Sequence, residues 1–181
     1  QVAAGRIVFG PWYVLPDEFL VSGESLLRNL RFGKEIVREF GGEPSRAGFV
    51  CDLFGHNSQM PQILAGFGSI GALVWRGVDF RIGGRFLWEG ADGTCLPSYR
   101  FGKSGYCDYT YKVRRSTDEN IAFDPERARE DLIAFIEEER ERVGPGAPGL
   151  IFDGGDHLLP DRQHYGVLRS LMEGEGSPRI T

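Results

Sequence analysis

The sequence predicts an α/β fold with mainly parallel strands, and three observations predict it. Short apolar runs of strand length, at 6–9, 47–51, 72–75 and 149–152, alternate with segments of helical spacing. The helical segments carry their own start and stop residues. Acidic or basic residues stand just past the apolar runs, where parallel strands would gather them on one rim of the sheet.

In chain order, the run 6–9 reads as a short strand closed by Gly10-Pro11. An aromatic loop, Trp12-Tyr13-Val14-Leu15-Pro16, follows and delivers Asp17 and Glu18. Ser22 can cap a helix whose apolar stripe is Leu26, Leu27, Leu30, Ile36, Val37 and Phe40; Gly33 weakens its middle and Gly41-Gly42 ends it. The strand at 47–51 leads to Asp52 and His56, and a helix at 60–65 leads to a third strand at 72–75, ending in Arg76-Gly77. Residues 85–88 read as a further strand or an excursion from the sheet. The stretch 89–124 mixes Gly, Tyr, Ser and charges without period and reads as a long irregular insertion. Asp124-Pro125 opens a helix with Leu132, Ile133, Phe135 and Ile136 facing inward, and its charge run 137–142 reads as a solvated face. A buried strand at 149–152 runs into Asp153-Gly154-Gly155-Asp156-His157, and a last helix spans about 161–172.

With 181 residues, 41% of them hydrophobic, the chain is one domain's worth and can bury a core. A net charge of -5 without a basic stripe argues against nucleic acid and anionic membranes as partners, and no apolar run has the length of a membrane span. The three cysteines, Cys51, Cys95 and Cys107, form no Cys-x-x-Cys pair, which favours a reducing compartment, with cytoplasm as the expectation. The chain lacks an initiator Met and closes just past a helical run, so it is expected to be a segment of something longer.

Gly66-Phe67-Gly68-Ser69-Ile70-Gly71 matches the dinucleotide pattern G-x-G-x-x-G by letter. That loop must follow a strand and open a helix, so that helix amides meet a pyrophosphate; here it follows a helix and opens a strand. Asp52 and His56, taken alone, could be a helix cap and a satisfied histidine. Their convergence with Asp17, Glu18, Arg76 and Asp156, all past apolar runs, favours a site for a neutral polyol or sugar, with Trp12, Trp75 and Trp88 as core or pocket wall. Two carboxylates about 5 Å apart would suit a retaining glycosidase. Cys51 reads as packing; Glu18 as a residue that orients substrate or, by preference, caps the 22–40 helix; and Asp17 as the better buried polar residue near the site.

The segment from Val50 through Asp52-Leu53-Phe54-Gly55-His56 to Pro61 resembles the D-x-F-G-H-x-x-x-x-P signature of the family 38 glycoside hydrolases, the α-mannosidases. Gly10-Pro11-Trp12 to Asp17-Glu18, Trp75-Arg76-Gly77, Phe86-Leu87-Trp88-Glu89-Gly90-Ala91-Asp92-Gly93 and Gly154-Gly155-Asp156-His157 resemble further blocks in the family's order. The wording of 10–29 is most similar to bacterial members, including those acting on mannosylglycerate-type substrates. The resemblance implies that residues 1–181 are a segment, cut at both ends, of a catalytic domain built as a seven-stranded β/α barrel, so that this chain forms an open part of that barrel. It also implies a retaining mechanism, a zinc ion and a mannoside or oligosaccharide substrate; a homo-oligomer is possible in such a chain.

By the same resemblance, Asp52 matches the nucleophile, which is also a zinc ligand, and Arg76 matches an arginine expected beside it. Asp156 is the first choice for the acid/base and Asp92 the second. Arg76, Asp92, Trp12 and Asp17 are the residues expected to bind substrate. The family's other zinc ligands, a His-x-Asp pair and a distant His, have no match among His56, His157 and His164, and are expected before Gln1 and after Thr181. Asp52 alone cannot hold zinc, so this segment by itself is expected to be inactive. His56 reads as a hydrogen-bonding residue behind Asp52 rather than a ligand. The rival expectations are a non-catalytic carbohydrate-binding fragment, or another metal-dependent carbohydrate hydrolase such as a deacetylase.

Overall fold

The computed structural model describes residues 1–2, 4–115 and 122–173. The chain divides into two compact units, Gln1–Lys103 and Ser104–Thr181.

The first unit is mixed α/β. Its helix α1 (Gly23–Glu39) starts where Ser22 Oγ accepts from the Ser25 amide at 3.2 Å. It buries Leu26, Leu30, Gly33 and Val37 along one stripe, and stops at Gly41, whose φ of 75° suits glycine. Strand β1 (Ala47–Val50), helix α2 (Met60–Gly66) and strand β2 (Gly71–Val74) form a parallel βα unit, with Ala47 paired to Gly71 and Val50 to Val74. The G-x-G-x-x-G letters therefore do lie after a helix and before a strand. Strands β3 (Arg85–Glu89) and β4 (Cys95–Arg100) are antiparallel to each other, and β4 lies parallel to β2. The result is a four-stranded, mostly parallel sheet in the order β1-β2-β4-β3. Leu26, Leu30, Val50, Met60, Leu64 and Val74 form the centre of its core.

Two expectations change here. Residues 6–9 form no strand: Ile7, Val8 and Phe9 are exposed, and Phe9 makes a single bridge to Pro44. Strand β4 lies inside the stretch read as irregular. Its inward face is Leu96, Ser98 and Arg100, so burial alternates while hydrophobicity does not. The polar atoms on that face are satisfied by backbone carbonyls: Ser98 Oγ donates to the Leu96 carbonyl at 3.0 Å, and Arg100 Nε to the Ile82 carbonyl at 2.8 Å.

In the second unit, a 3-10 turn (Gly105–Cys107) and a π-helical turn (Thr110–Arg114) precede α3 (Pro125–Val143) and α4 (Arg162–Glu173). Asp124 caps α3 as expected, accepting from the Arg127 amide at 3.1 Å. The buried stripe is Ala128, Leu132, Phe135, Glu139 and Val143, and the core adds Tyr109, Val113 and Leu171. Ile133 is off that stripe and exposed, contrary to expectation. The charge run is not wholly solvated either: Glu139 turns inward, gripped by Arg142 Nη2 at 2.6 and 2.8 Å. Residues 149–152 hold no strand; this segment lies along Glu139, with the Leu150 amide 3.5 Å from its Oε1, and the Gly154 amide donates to the Tyr106 carbonyl. Residues 116–121, part of the stretch read as irregular, lie outside the described residues.

Candidate active site

The register of β1 and β2 builds the centre of the site. Val50 and Val74 are partners, so Asp52 and Arg76 each stand two residues past a matched pair. The Arg76 amide donates to the Cys51 carbonyl at 3.1 Å, carrying the pairing past the strand ends. Arg76 Nε donates to Asp52 Oδ1, and both side chains remain open, at 43% and 36% exposure. The guanidinium stacks on Trp75, 4.0 Å from the ring centroid, and lies 5.6 Å from the Phe54 ring. Trp75 is held in turn by its indole N–H, which donates to the Lys103 carbonyl at 3.2 Å. A carboxylate, a fixed cation and two aromatic faces are thus presented together.

Behind this pair sits a buried polar knot. Glu18 Oε1 is 2.7 Å from His56 Nδ1, while Oε2 accepts from the Asn57 amide at 2.7 Å and from Asn57 Nδ2 at 2.9 Å. His56 Nε2 donates to the Arg76 carbonyl at 2.8 Å. Glu18 is therefore not the cap of α1, which is Ser22, and it takes the buried polar place expected for the half-buried Asp17. Its role is hidden in sequence because its partners lie 38 and 39 residues away. Cys51 packs in the core, where burial pushes its thiol well above the ordinary range and Sγ points at the Leu73 carbonyl.

Residues 1–154 match the model of the glycosyl hydrolases family 38 N-terminal domain. The chain belongs to this family. It is similar to a putative mannosylglycerate hydrolase of Halalkalibacterium halodurans, 45% identical over 74 residues, which are 41% of this chain and 8% of that protein. It is also similar to human alpha-mannosidase 2C1, 26% identical over 96% of this chain and 15% of that protein. The crystal structure of an alpha-mannosidase from Enterococcus faecalis superposes with a TM-score of 0.74 at 27% identity, over 94% of this chain and 19% of that one. The chain thus spans less than a fifth of the length of these relatives.

The family 38 chain places its other expected residues as follows. Trp12 is 8% exposed and sits in the core, its indole N–H donating to the Phe49 carbonyl at 2.8 Å, so it has a packing role beneath β1. Asp92 lies in the turn between β3 and β4, where Oδ2 accepts from Thr94 Oγ1 at 2.6 Å and Oδ1 from the Thr94 amide at 3.0 Å. Those two hydrogen bonds hold its carboxyl below the usual range. The turn reaches the Asp52 loop through the Ala91 amide, which donates to the Ser58 carbonyl at 2.8 Å. Asp156 is in the second unit, on an exposed turn rather than at a strand end.

That unit also carries a cluster the sequence did not signal. Arg114, its side chain 7% exposed, forks onto Asp153 at 2.8 and 3.0 Å and donates to the Leu159 carbonyl at 2.9 Å. It lines a cavity of about 490 Å³ with Gly155, Leu158, Asp161 and Tyr165. Among the described residues, no three of His, Cys, Asp and Glu converge so as to hold a metal. Beside Asp52, both nitrogens of His56 are engaged and Cys51 faces a carbonyl, so this donor set does not fit zinc.

Proposed function

We propose that this chain is the nucleophile-bearing part of a retaining α-mannosidase, both of its units belonging to one catalytic domain of the family's β/α barrel type. The observation that carries the reading is Asp52 past the end of β1, with the Arg76 guanidinium on one of its oxygens and aromatic faces beside it. In this reading the Asp52 carboxylate attacks the anomeric carbon of a mannoside while a carboxylic acid protonates the leaving oxygen. Water, deprotonated by that second group, then releases mannose and restores Asp52. Arg76 holds one Asp52 oxygen in place and leaves the other for the sugar. Asp92 suits the acid/base poorly, because a general acid needs a raised pKa and the Thr94 hydrogen bonds lower its own; Asp156 is kept as the first choice on the family resemblance.

The family resemblance carries an expectation of zinc, but among the described residues Asp52 has no converging ligands with which to hold the ion. Cys51, Cys95 and Cys107 form no disulfide with one another, and the low, odd cysteine count suits the reducing compartment, the cytoplasm, that we propose for it. No helix among the described residues is long and apolar enough to cross a membrane.

The test is zinc content and aryl α-mannoside hydrolysis, on this chain and on a version extended at both ends to the length of its relatives. Zinc and activity in the extended protein, with turnover abolished and sugar binding kept in its Asp52→Asn variant, support the reading. Wild-type turnover in that variant would sink the nucleophile assignment. An extended protein that binds mannosides and cleaves none would move the function to carbohydrate binding; activity on acetylated sugars would move it to a deacetylase.

A further inference from the structure

We propose that Glu18 and His56 are positioning residues for the Asp52–Arg76 pair, acting through the Arg76 backbone carbonyl; their bearing on catalysis rests on Asp52 being the reacting carboxylate. The His56 side chain is 6% exposed and that of Glu18 is fully buried. A carbonyl oxygen has no hydrogen to give, so His56 Nε2 must donate to Arg76, and a proton must lie between Nδ1 and the Glu18 carboxylate. One ring thereby ties three sequence-distant segments together: the 17–20 turn, the loop after β1 and the loop after β2.

The packing agrees with a clamp. A Cβ added to Gly77, at φ 75°, would lie 2.9 Å from Gly55 Cα and 3.0 Å from His56 Cδ2, so the two loops touch where only glycine fits. A Cβ on Gly55 would meet the Phe19 ring at 2.7 Å, and the Trp88 ring stands edge-on to His56 at 5.0 Å. Arg76 is therefore held at both backbone groups, its N–H by Cys51 and its C=O by His56. Its side chain leaves a fixed point, crosses Trp75 and meets Asp52. Neither Glu18 nor His56 needs to touch the sugar.

Two substitutions separate this from a general structural role. The amide of His56→Asn reaches as far as ring Nδ1 and keeps Glu18, but gives up the Arg76 carbonyl. The amide of His56→Gln reaches as far as Nε2 and keeps that carbonyl. In the extended protein, His56→Asn is expected to lower kcat on an aryl α-mannoside about 100-fold with KM within about threefold, and His56→Gln less than about tenfold. In the full chain, solvent exchange of the Arg76 Nε–H, read by 15N NMR, is expected to quicken at least about tenfold in His56→Asn and to stay within about threefold in His56→Gln. Equal kcat per folded molecule in the two variants, or unchanged Arg76 Nε–H exchange in folded His56→Asn, overturns the proposal. If His56→Asn does not fold, Glu18→Gln keeps the volume, removes the carboxylate and is held to the same exchange criterion. If the extended protein cleaves no mannoside, the functional reading fails, while the exchange measurement still decides whether the clamp positions Arg76.

Discussion

Gly33 lies in the middle of α1, and helix propensity alone says that alanine there should stabilise the chain by about 1 kcal/mol. The structure reverses the sign. A Cβ at Gly33 would stand 2.4 Å from the Pro11 carbonyl oxygen, the Trp12 carbonyl carbon and the Tyr13 amide nitrogen, all backbone atoms with little freedom to yield. Overpacking of that kind costs about 1–3 kcal/mol, and rigid neighbours put this case at the upper end. Moving residues 11–14 also strains the hold of Asn29, whose Oδ1 accepts from the Tyr13 amide at 2.8 Å and whose Nδ2 donates to the Val14 carbonyl at 2.7 Å. Losing one such bond adds about 1 kcal/mol. Set against the propensity gain, the net loss for Gly33→Ala is about 2–3 kcal/mol, which lowers the urea midpoint by about 1 M. Tryptophan fluorescence reads it, since Trp12, Trp75 and Trp88 all belong to the first unit. Gly66, the last residue of α2, is the control: its Cβ would enter open space, so Gly66→Ala should be neutral or stabilising by up to about 1 kcal/mol. A Gly33→Ala midpoint at or above that of the unsubstituted chain would refute the reasoning. The consequence reaches the site, because the segment that Gly33 admits is the one that continues to Asp17 and Glu18.

Glu18→Ala leaves a buried His56 nitrogen and two half-buried Asn57 N–H groups without their acceptor, and is expected to cost about 3–5 kcal/mol of unfolding free energy by denaturant titration. Arg76→Lys keeps the charge but loses the planar stacking on Trp75; kcat for the extended protein should fall about 10- to 100-fold with the folding midpoint little changed. Asp161 caps α4, and although burial pushes its pKa up, hydrogen bonds from the His164 amide and ring and the Gln163 amide hold it below the usual range. A depressed carboxyl contributes stability above its unfolded pKa of about 3.9 and loses it as the pH falls through the lower folded value. Acid titration of α4 helicity should show that loss, and Asp161→Ala should remove it.

What was legible in the sequence was what neighbouring residues determine. The β1–α2–β2 unit follows from two apolar runs around a short helix, and the caps of α1 and α3 from Ser22 and Asp124. Strand β4 was hidden because its inward face carries Ser98 and Arg100, polar groups satisfied by the Leu96 carbonyl two residues back and by the Ile82 carbonyl that the fold brings near. Residues 149–152 misled in the opposite sense: they are apolar, but an apolar run becomes a strand only where a neighbour offers a ladder. Glu139 could have been found, since it falls on the spacing of Leu132, Phe135 and Val143 that fixes the buried stripe of α3. Glu18 could not, because nothing near it in the chain tells a helix cap from a partner for His56.

The same distinction explains why the site needs its clamp. Strand ends are useful for chemistry because side chains there are released from the sheet's alternation and can face a ligand. They are also where the backbone runs out of ladder partners: β2 is paired as far as Val74 with Val50 on one side and Arg100 on the other, and the Arg76 carbonyl lies beyond both. A partly enclosed carbonyl without a partner costs free energy, and a loop free to turn it toward water would take the guanidinium with it. His56 removes both difficulties with one hydrogen bond, provided that its other nitrogen is held, and that is the place of Glu18. The buried acid and the exposed acid thus have separate tasks: Asp52 is kept open to solvent, and Glu18 is buried so that Asp52 and Arg76 keep their geometry.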